Sequence, residues 1–414
     1  MSELLKIVRM AGQGDGLAET PGGPVFVPLT LPGETVRADV RDGRGDLIEI
    51  VEASAQRIVP VSPQYGDCGG CSLQHWAMEP YLVWKGEQVR LALAREAIET
   101  DIEPTVAVPM QSRRRVALHA RRTEQGRVIL GFKARKSWRL VEVTECPVAD
   151  PRLVAAFPAL AKVAAAFLEH PKSAPTLHVT LTLDGLDVDV TGVERKSGGL
   201  SADRQMQAIR AARDADLARL SLAGDTLMMQ RQPRVNFGTA TVPVPPGGFL
   251  QAVPEAEAAM TARAVAAVKG AKKIADLFCG SGTFTFPLAK VAPVLAADAS
   301  AAGIAALKAG IGSTSGLRQI TAEARDLFRR PLSPYDLKGC DAIVFDPPRA
   351  GAQDQTAQIA DTKASVVVGV SCNPVTFARD ARMLIDAGFR LETVTPIDQF
   401  LWSAHVELVG VFRR

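Results

Sequence analysis

The stretch KKIADLFCGSGTFTFPLA, Lys272–Ala289, contains an apolar strand ending at Asp276, a Gly-x-Gly turn at Gly280 and Gly282, and a helix beginning near Phe284. Strand, glycine turn and helix in that order open an α/β sheet, and the carboxyl end of its first strand faces a ligand crevice. A lone Gly-x-Gly is weak evidence, because tight turns take glycine for backbone reasons alone. Its context is stronger. APVLAADAS ends a second strand at Asp298, the spacing at which an acidic side chain accepts both hydroxyls of a ribose. The third glycine of a dinucleotide fingerprint is missing, so the pattern points to S-adenosyl-L-methionine in preference to NAD.

Two further strands end at the same edge. CDAIVFDPPRAG closes on Asp346-Pro347-Pro348-Arg349, where each proline holds the preceding residue extended and stiffens the loop. ASVVVGV then delivers Ser371, Cys372 and Asn373. The plain alternatives are a proline-terminated strand and a buried inert cysteine. A methyl donor needs a thiolate only when the acceptor is not itself nucleophilic, and C5 of uracil is such an acceptor. Thiolate addition at C6 makes C5 an enolate carbon that can attack a methyl group, and a base must then remove the C5 proton. That base should be a carboxylate or a histidine nearby. The closing DQFLWSAHVELVGVFRR offers His405 and Glu407 at the head of the last apolar strand, two residues apart and so expected on one face.

Outward from this third of the chain, 414 residues predict two or three domains, with 47% hydrophobic and 22% charged residues as in soluble globular proteins. No apolar run reaches membrane-spanning length and no signal peptide is evident, so a cytoplasmic protein without a membrane partner is expected. Six cysteines in that setting read as thiols or metal ligands. A net charge of +3 leaves any nucleic-acid surface to local clustering. Ser112–Arg139 supplies it: only Glu124 is acidic among many Arg and Lys, and Val116, Leu118, Val128, Leu130 and Phe132 alternate as in paired strands. A solvated sheet face is the bland reading, but Arg-rich strands with Trp138 interleaved suit phosphate contact and base stacking. Short apolar runs broken by Gly and Pro over residues 1–57 predict a small barrel. A cysteine loop follows over 58–86. Residues 87–244 mix the basic sheet, an Ala-rich helix after Asp150 and a hairpin turning at Asp184-Gly185, and 245–414 form the α/β domain.

DLFCGSGTFTFPLA, FDPPRAG, VSCNPVTFARD and HVEL, in this order and spacing, resemble the RNA uracil-5-methyltransferase family, and the likeness extends over essentially the whole chain. It implies a Rossmann-like class I methyltransferase domain, a central α+β RNA-binding domain, and an N-terminal TRAM barrel of OB-like form. The branch with this layout acts on 23S ribosomal RNA. Also implied are Cys372 as nucleophile, Glu407 as base, and cofactor contacts from Gln251, Phe278, Gly280, Gly282, Thr283, Asp298, Asp326 and Asp346. Phe249 and Asp346 would meet a flipped base. Taken singly, Phe249 could be core, Asp326 a helix cap and Gln251 a surface amide. SPQYGDCGGCSLQH with ECPVAD resembles the family's four-cysteine signature for a 4Fe-4S cluster. Cys68, Cys71 and Cys146 match three positions, and Ser62 stands at the first. A cluster, a zinc site including His75 and a metal-free loop are the three readings. Thr283 stands where relatives often carry Asn, and both side chains can donate a hydrogen bond.

The expected partner is therefore RNA, ribosomal before transfer RNA, with no obligate protein partner. Two other classes compete: a binding protein that has lost catalysis, and a methyltransferase acting on an exocyclic amine of adenine, for which a cysteine nucleophile would be idle.

Overall fold

A computed structural model describes residues 2–194 and 200–414. Strands β1 (Ser2–Met10), β2 (Gly16–Thr20), β3 (Gly23–Val27), β4 (Thr35–Arg41) and β5 (Arg44–Glu52) close into a barrel in the order β1-β2-β3-β5-β4. Alternation along each strand turns Ile7, Val25, Val27, Val36 and Ala38 inward, and closure leaves no free sheet edge. Asp15, only 2% exposed, fastens the barrel to the middle of the chain by ion pairs with Arg135 and Lys136.

Helix α1 (Met78–Arg95) and the short β6 (Asp101–Ile102) come next. Tyr81, Lys85, Val89 and Ala92 recur at helical spacing and are buried, and α1 packs against the C-terminal domain. β6 pairs with the far edge of the C-terminal sheet. Both elements thus belong to the C-terminal body, although sequence division splits them between the cysteine loop and the central segment. The reason is a pairing partner nearly three hundred residues away, which local pattern cannot reveal.

The central domain has β7 (Arg115–Arg122), β8 (Val128–Lys133), β9 (Leu140–Glu142), α2 (Pro151–Ala155), α3 (Phe157–Ala166), β10 (Thr176–Thr182), β11 (Gly185–Thr191), α4 (Ala202–Asp214), β12 (Arg219–Leu222) and β13 (Asp225–Met229). The sheet order is β13-β12-β11-β10-β7-β8-β9. Leu160 and Val163 of α3 and Ala208 and Ala212 of α4 pack on Leu118, Leu177 and Val188 of the sheet. The basic stretch forms the antiparallel pair β7–β8, with His119 opposite Gly131, as expected. The β10–β11 turn falls one residue early: Thr182 pairs with Gly185, so Leu183 and Asp184 make the turn. Gly185, at φ +119, supplies the conformation that closes it. A separate hairpin, β14 (Arg234–Phe237) and β15 (Ala240–Pro243), places Val235, Phe237 and Val242 in the C-terminal core.

That core surrounds α5 (Pro254–Ala267), β16 (Ile274–Leu277), α6 (Thr285–Leu288), β17 (Val294–Asp298), α7 (Ala301–Gly312), β18 (Ile320–Ala324), β19 (Ala342–Phe345), α8 (Gln353–Ala360), β20 (Val366–Ser371), α9 (Pro374–Asp386), β21 (Arg390–Ile397) and β22 (Glu407–Arg413). The sheet runs β18-β17-β16-β19-β20-β22-β21-β6. β16, β19 and β20 are parallel and buried along their whole length, as strands covered by helices on both faces must be. Strand order reverses beside β16, which opens a crevice at the carboxyl edge. β22 inserts antiparallel between β20 and β21, pairing Ser371 with Leu408 and Ile397 with Glu407. An antiparallel strand begins where its parallel neighbours end, so its first residue joins their catalytic edge.

Candidate active site

Cys372 directly follows β20 and is half-buried, while Glu407 opens β22 at 4% exposure. Both line a cavity of about 420 Å³, together with Phe249, Phe400, Arg113 and Arg115. Phe249 is 74% exposed, so it is not core; the Arg115 guanidinium lies 5.7 Å from its ring centroid. Burial and the nearby Asp346 carboxylate push Glu407 up to about 8. Burial alone pushes Asp346 up to about 7. Burial, Glu407 and Asp346 together push the Cys372 thiol up to about 11. Three acidic groups so close cannot all ionise, and the thiol is the last to lose its proton.

The crevice side is built on backbone turns. Phe278 has φ +62, a strained value for a side chain of that size, and its ring packs on Phe328. Gly280 (φ +54) donates its N–H to Asp298 Oδ2 at 2.9 Å, and Ser300 N–H reaches Oδ1 of the same carboxylate at 2.7 Å. A Cβ on Gly282 (φ +104) would meet the Phe286 ring at 2.6 Å, so only glycine fits. Asp326 accepts from the N–H groups of Phe328 and Arg329 at 3.0 and 3.2 Å. Asp346 follows β19, and Gln251 Nε2 donates to its Oδ2 at 3.2 Å. Gln251 is 3% exposed and no surface amide. Thr283 lines a different groove, of about 840 Å³, with Thr261 and Pro287.

Two expectations need correction. His405 does not share a face with Glu407: β22 begins only at Glu407, and His405 lies exposed in the preceding turn. The iron-sulfur expectation lacks its cage. Cys68, Cys71 and Cys146 are free, and they and Ser62 line the same cavity as Cys372. Among the described residues, however, no three His, Cys, Asp or Glu side chains stand where they could hold a metal ion. Nor does His75 join the three thiols in such a group; its Nδ1 is bonded to the Tyr65 hydroxyl at 2.5 Å. Three thiols with a hydroxyl in the fourth place do not fit a four-thiolate cluster. What the loop does in this structure is wall the cavity: Gly69 N–H bonds Lys133 O, and Leu73 N–H bonds Trp402 O.

Four residues that motif reading passed over support the site. Gln399, at the end of β21, donates to Glu407 Oε1 at 3.2 Å and to Gln251 Oε1 at 2.9 Å. Lys85 of α1 and Asp398 are both fully buried, with Nζ and Oδ1 2.7 Å apart, and Lys85 also donates to the His405 carbonyl. Tyr81 donates its hydroxyl to Asp398 at 2.9 Å. Burial pushes Asp398 up and Lys85 down, each held back by the other. A signal for Lys85 existed: it lies four residues from both Tyr81 and Val89, on the apolar stripe of its helix.

The family model described as tRNA (uracil-5-)-methyltransferase matches residues 240–414. An uncharacterized RNA methyltransferase of Caulobacter vibrioides is 62% identical over 412 residues, covering 99% of each chain. The 23S rRNA (uracil(1939)-C(5))-methyltransferase RlmD of Chromohalobacter salexigens is 30% identical over 433 residues, covering 99% of this chain and 89% of that one. Among solved structures, the Pyrococcus abyssi tRNA (uracil-54, C5)-methyltransferase in complex with S-adenosyl-L-homocysteine superposes with a TM-score of 0.75 at 24% identity, covering 99% of both chains. On its full-length likeness to these relatives, this chain belongs to the RNA uracil-5-methyltransferase family of enzymes.

Proposed function

We propose that the protein methylates C5 of a uridine in structured RNA through a covalent adduct of Cys372 with uracil C6. The observation that carries this reading is the convergence of Cys372 and Glu407 in one cavity, walled on its outer side by Phe249 and the arginines of the central sheet. S-adenosyl-L-methionine, held by Gln251, Phe278, Gly280, Gly282, Asp298, Asp326 and Asp346, supplies an electrophilic methyl group. The Cys372 thiol, protonated at rest, passes its proton to water as Sγ bonds to C6; the C5–C6 π electrons shift onto C5 and O4, and C5 takes the methyl group as its bond to the cofactor sulfur breaks, leaving S-adenosyl-L-homocysteine. With the methyl group on C5, Glu407 removes the C5 proton. The electrons of the C–H bond re-form the C5–C6 double bond and the Sγ–C6 bond breaks. Phe249 and the Asp346-Pro347-Pro348 loop position the flipped base. Thr283, expected to contact the cofactor, lines the separate groove with Thr261 and Pro287 and has no step in this scheme.

The substrate proposed is 23S ribosomal RNA, on the strength of the 30% identical relative. The barrel does not decide this, because an enzyme named for transfer RNA shares the fold from end to end. Incubation with methyl-labelled S-adenosyl-L-methionine and each RNA, followed by nucleoside mass spectrometry, tests both points. Labelled 5-methyluridine in 23S RNA alone is expected, and label in transfer RNA alone reverses the substrate. 5-Fluorouridine RNA should leave a denaturation-stable adduct with the wild type and none with Cys372→Ala. An exocyclic-amine methyltransferase or a binding protein would leave none with either.

A further inference from the structure

Gln399 has 1% of its surface exposed, and both N–H bonds of its amide are committed. One goes to Glu407 Oε1 and the other to Gln251 Oε1, whose own Nε2 donates to Asp346 Oδ2. The outcome is an unbroken carboxylate–amide–amide–carboxylate chain from the cofactor edge to the base. Gln399 Oε1, in contrast, is buried with no partner among the described residues. An unpaired buried amide oxygen costs about 1–3 kcal/mol, so its orientation requires a cause. Rotating the amide would turn that oxygen toward Gln251 Oε1, an acceptor, and toward Glu407, an acceptor whenever its carboxyl is ionised, so in the ionised state that removes the C5 proton both bonds would be lost. The oxygen is left unpaired because the two donors are needed where they are.

We infer that Gln399 is the positioning residue of the base: it holds the Glu407 carboxylate in one orientation at the cavity wall and locks it to the Gln251–Asp346 pair, so that it serves removal of the C5 proton and neither thiol addition nor RNA binding. This rests on the proposed role of Glu407. The charged groups around Glu407 are Asp346 at the end of β19, Cys372 at the end of β20, and Lys85 on α1, itself paired with Asp398. Gln399 is the neutral donor among them, and its hydrogen bond favours the ionised carboxylate.

Gln399→Met keeps the length of the side chain and removes both donors. Misplacing a reacting group costs about 100-fold, so kcat for RNA methylation should fall by about that factor with KM for RNA within about twofold. Methylated RNA should accumulate as a covalent protein complex, because elimination waits on the proton. The rising limb of the pH–rate profile should move to higher pH, since a carboxylate that loses a donor holds its proton more tightly. Adduct formation with 5-fluorouridine RNA needs no base and should keep its wild-type rate. Gln399→His, which keeps one donor, should recover part of the loss. Wild-type kcat and pH profile in Gln399→Met would overturn the inference, and so would loss of adduct formation in both variants, which would make Gln399 a support of the whole cavity. A wild type that forms neither adduct nor 5-methyluridine would sink the proposed function itself and this inference with it.

Discussion

Glu407 and Asp346 share a consequence of burial: each holds its proton to a far higher pH than a solvated carboxyl. A base must be ionised to act, so turnover should climb with pH through the neighbourhood of 8, read as the rising limb of kcat against pH. Glu407→Gln should lower turnover by about 10²–10⁴-fold and still methylate once, leaving RNA covalently bound on a denaturing gel. Asp346 gives a stability prediction. Its folded-state value of about 7 lies above the ordinary 3.8, so its contribution favours the fold at low pH and is lost as pH rises through 7. Asp346→Asn cannot ionise. It should therefore melt above the wild type at about pH 8, by on the order of 2–4 kcal/mol, and match it near pH 4, while turnover is lost. Cys372, Glu407 and Asp346 were legible as reactive residue types at the ends of apolar runs. Gln399 was not, because an amide two residues past a strand has no chemistry of its own until its partners are known.

At the scale of elements, the β7–β8 pair and the loop to β9 form the basic face of the central domain. Trp138 is 86% exposed there, and Lys133 Nζ lies 3.9 Å from its ring centroid. An indole so exposed contributes little to folding, and a base can stack on it. Trp138→Ala should weaken RNA binding by about 1–3 kcal/mol, measured as Kd, and leave the slope of log Kd against log salt unchanged, because no phosphate contact is removed. A steeper or shallower salt slope would count against stacking. Here the alternation of Val116, Leu118 and Leu130 made the strands legible. The role of α1 was less so: its lysine is explained only by Asp398, which sits after β21.

For the whole molecule, cysteine loop, central sheet and α/β domain meet around the cavity, and a few charged contacts hold the barrel and the domains in place. Asp15 receives Arg135 and Lys136, with Arg44 3.9 Å away. Arg114 joins the central domain to Glu257 of α5 at 2.5 Å. Asp15→Ala leaves three cations facing one another at the barrel interface and should release the barrel. Limited proteolysis between the barrel and α1 is expected to quicken, with adduct formation on a short 5-fluorouridine RNA retained. Equal cleavage rates in variant and wild type would show that the barrel is held by other means. Amino-acid sequence by itself determined the strand–glycine–helix series, the acids and cysteine at strand ends, and the basic strands, because each is written in a run of neighbouring residues. Tertiary structure decided that β22 runs antiparallel beside β20, that α1 and β6 join the C-terminal domain, that the cysteine loop walls the cavity beside Cys372, and that two glutamines link Asp346 to Glu407. These depend on pairing and burial between segments far apart in the chain, where the energy of a contact is set by the partner and not by the residues on either side.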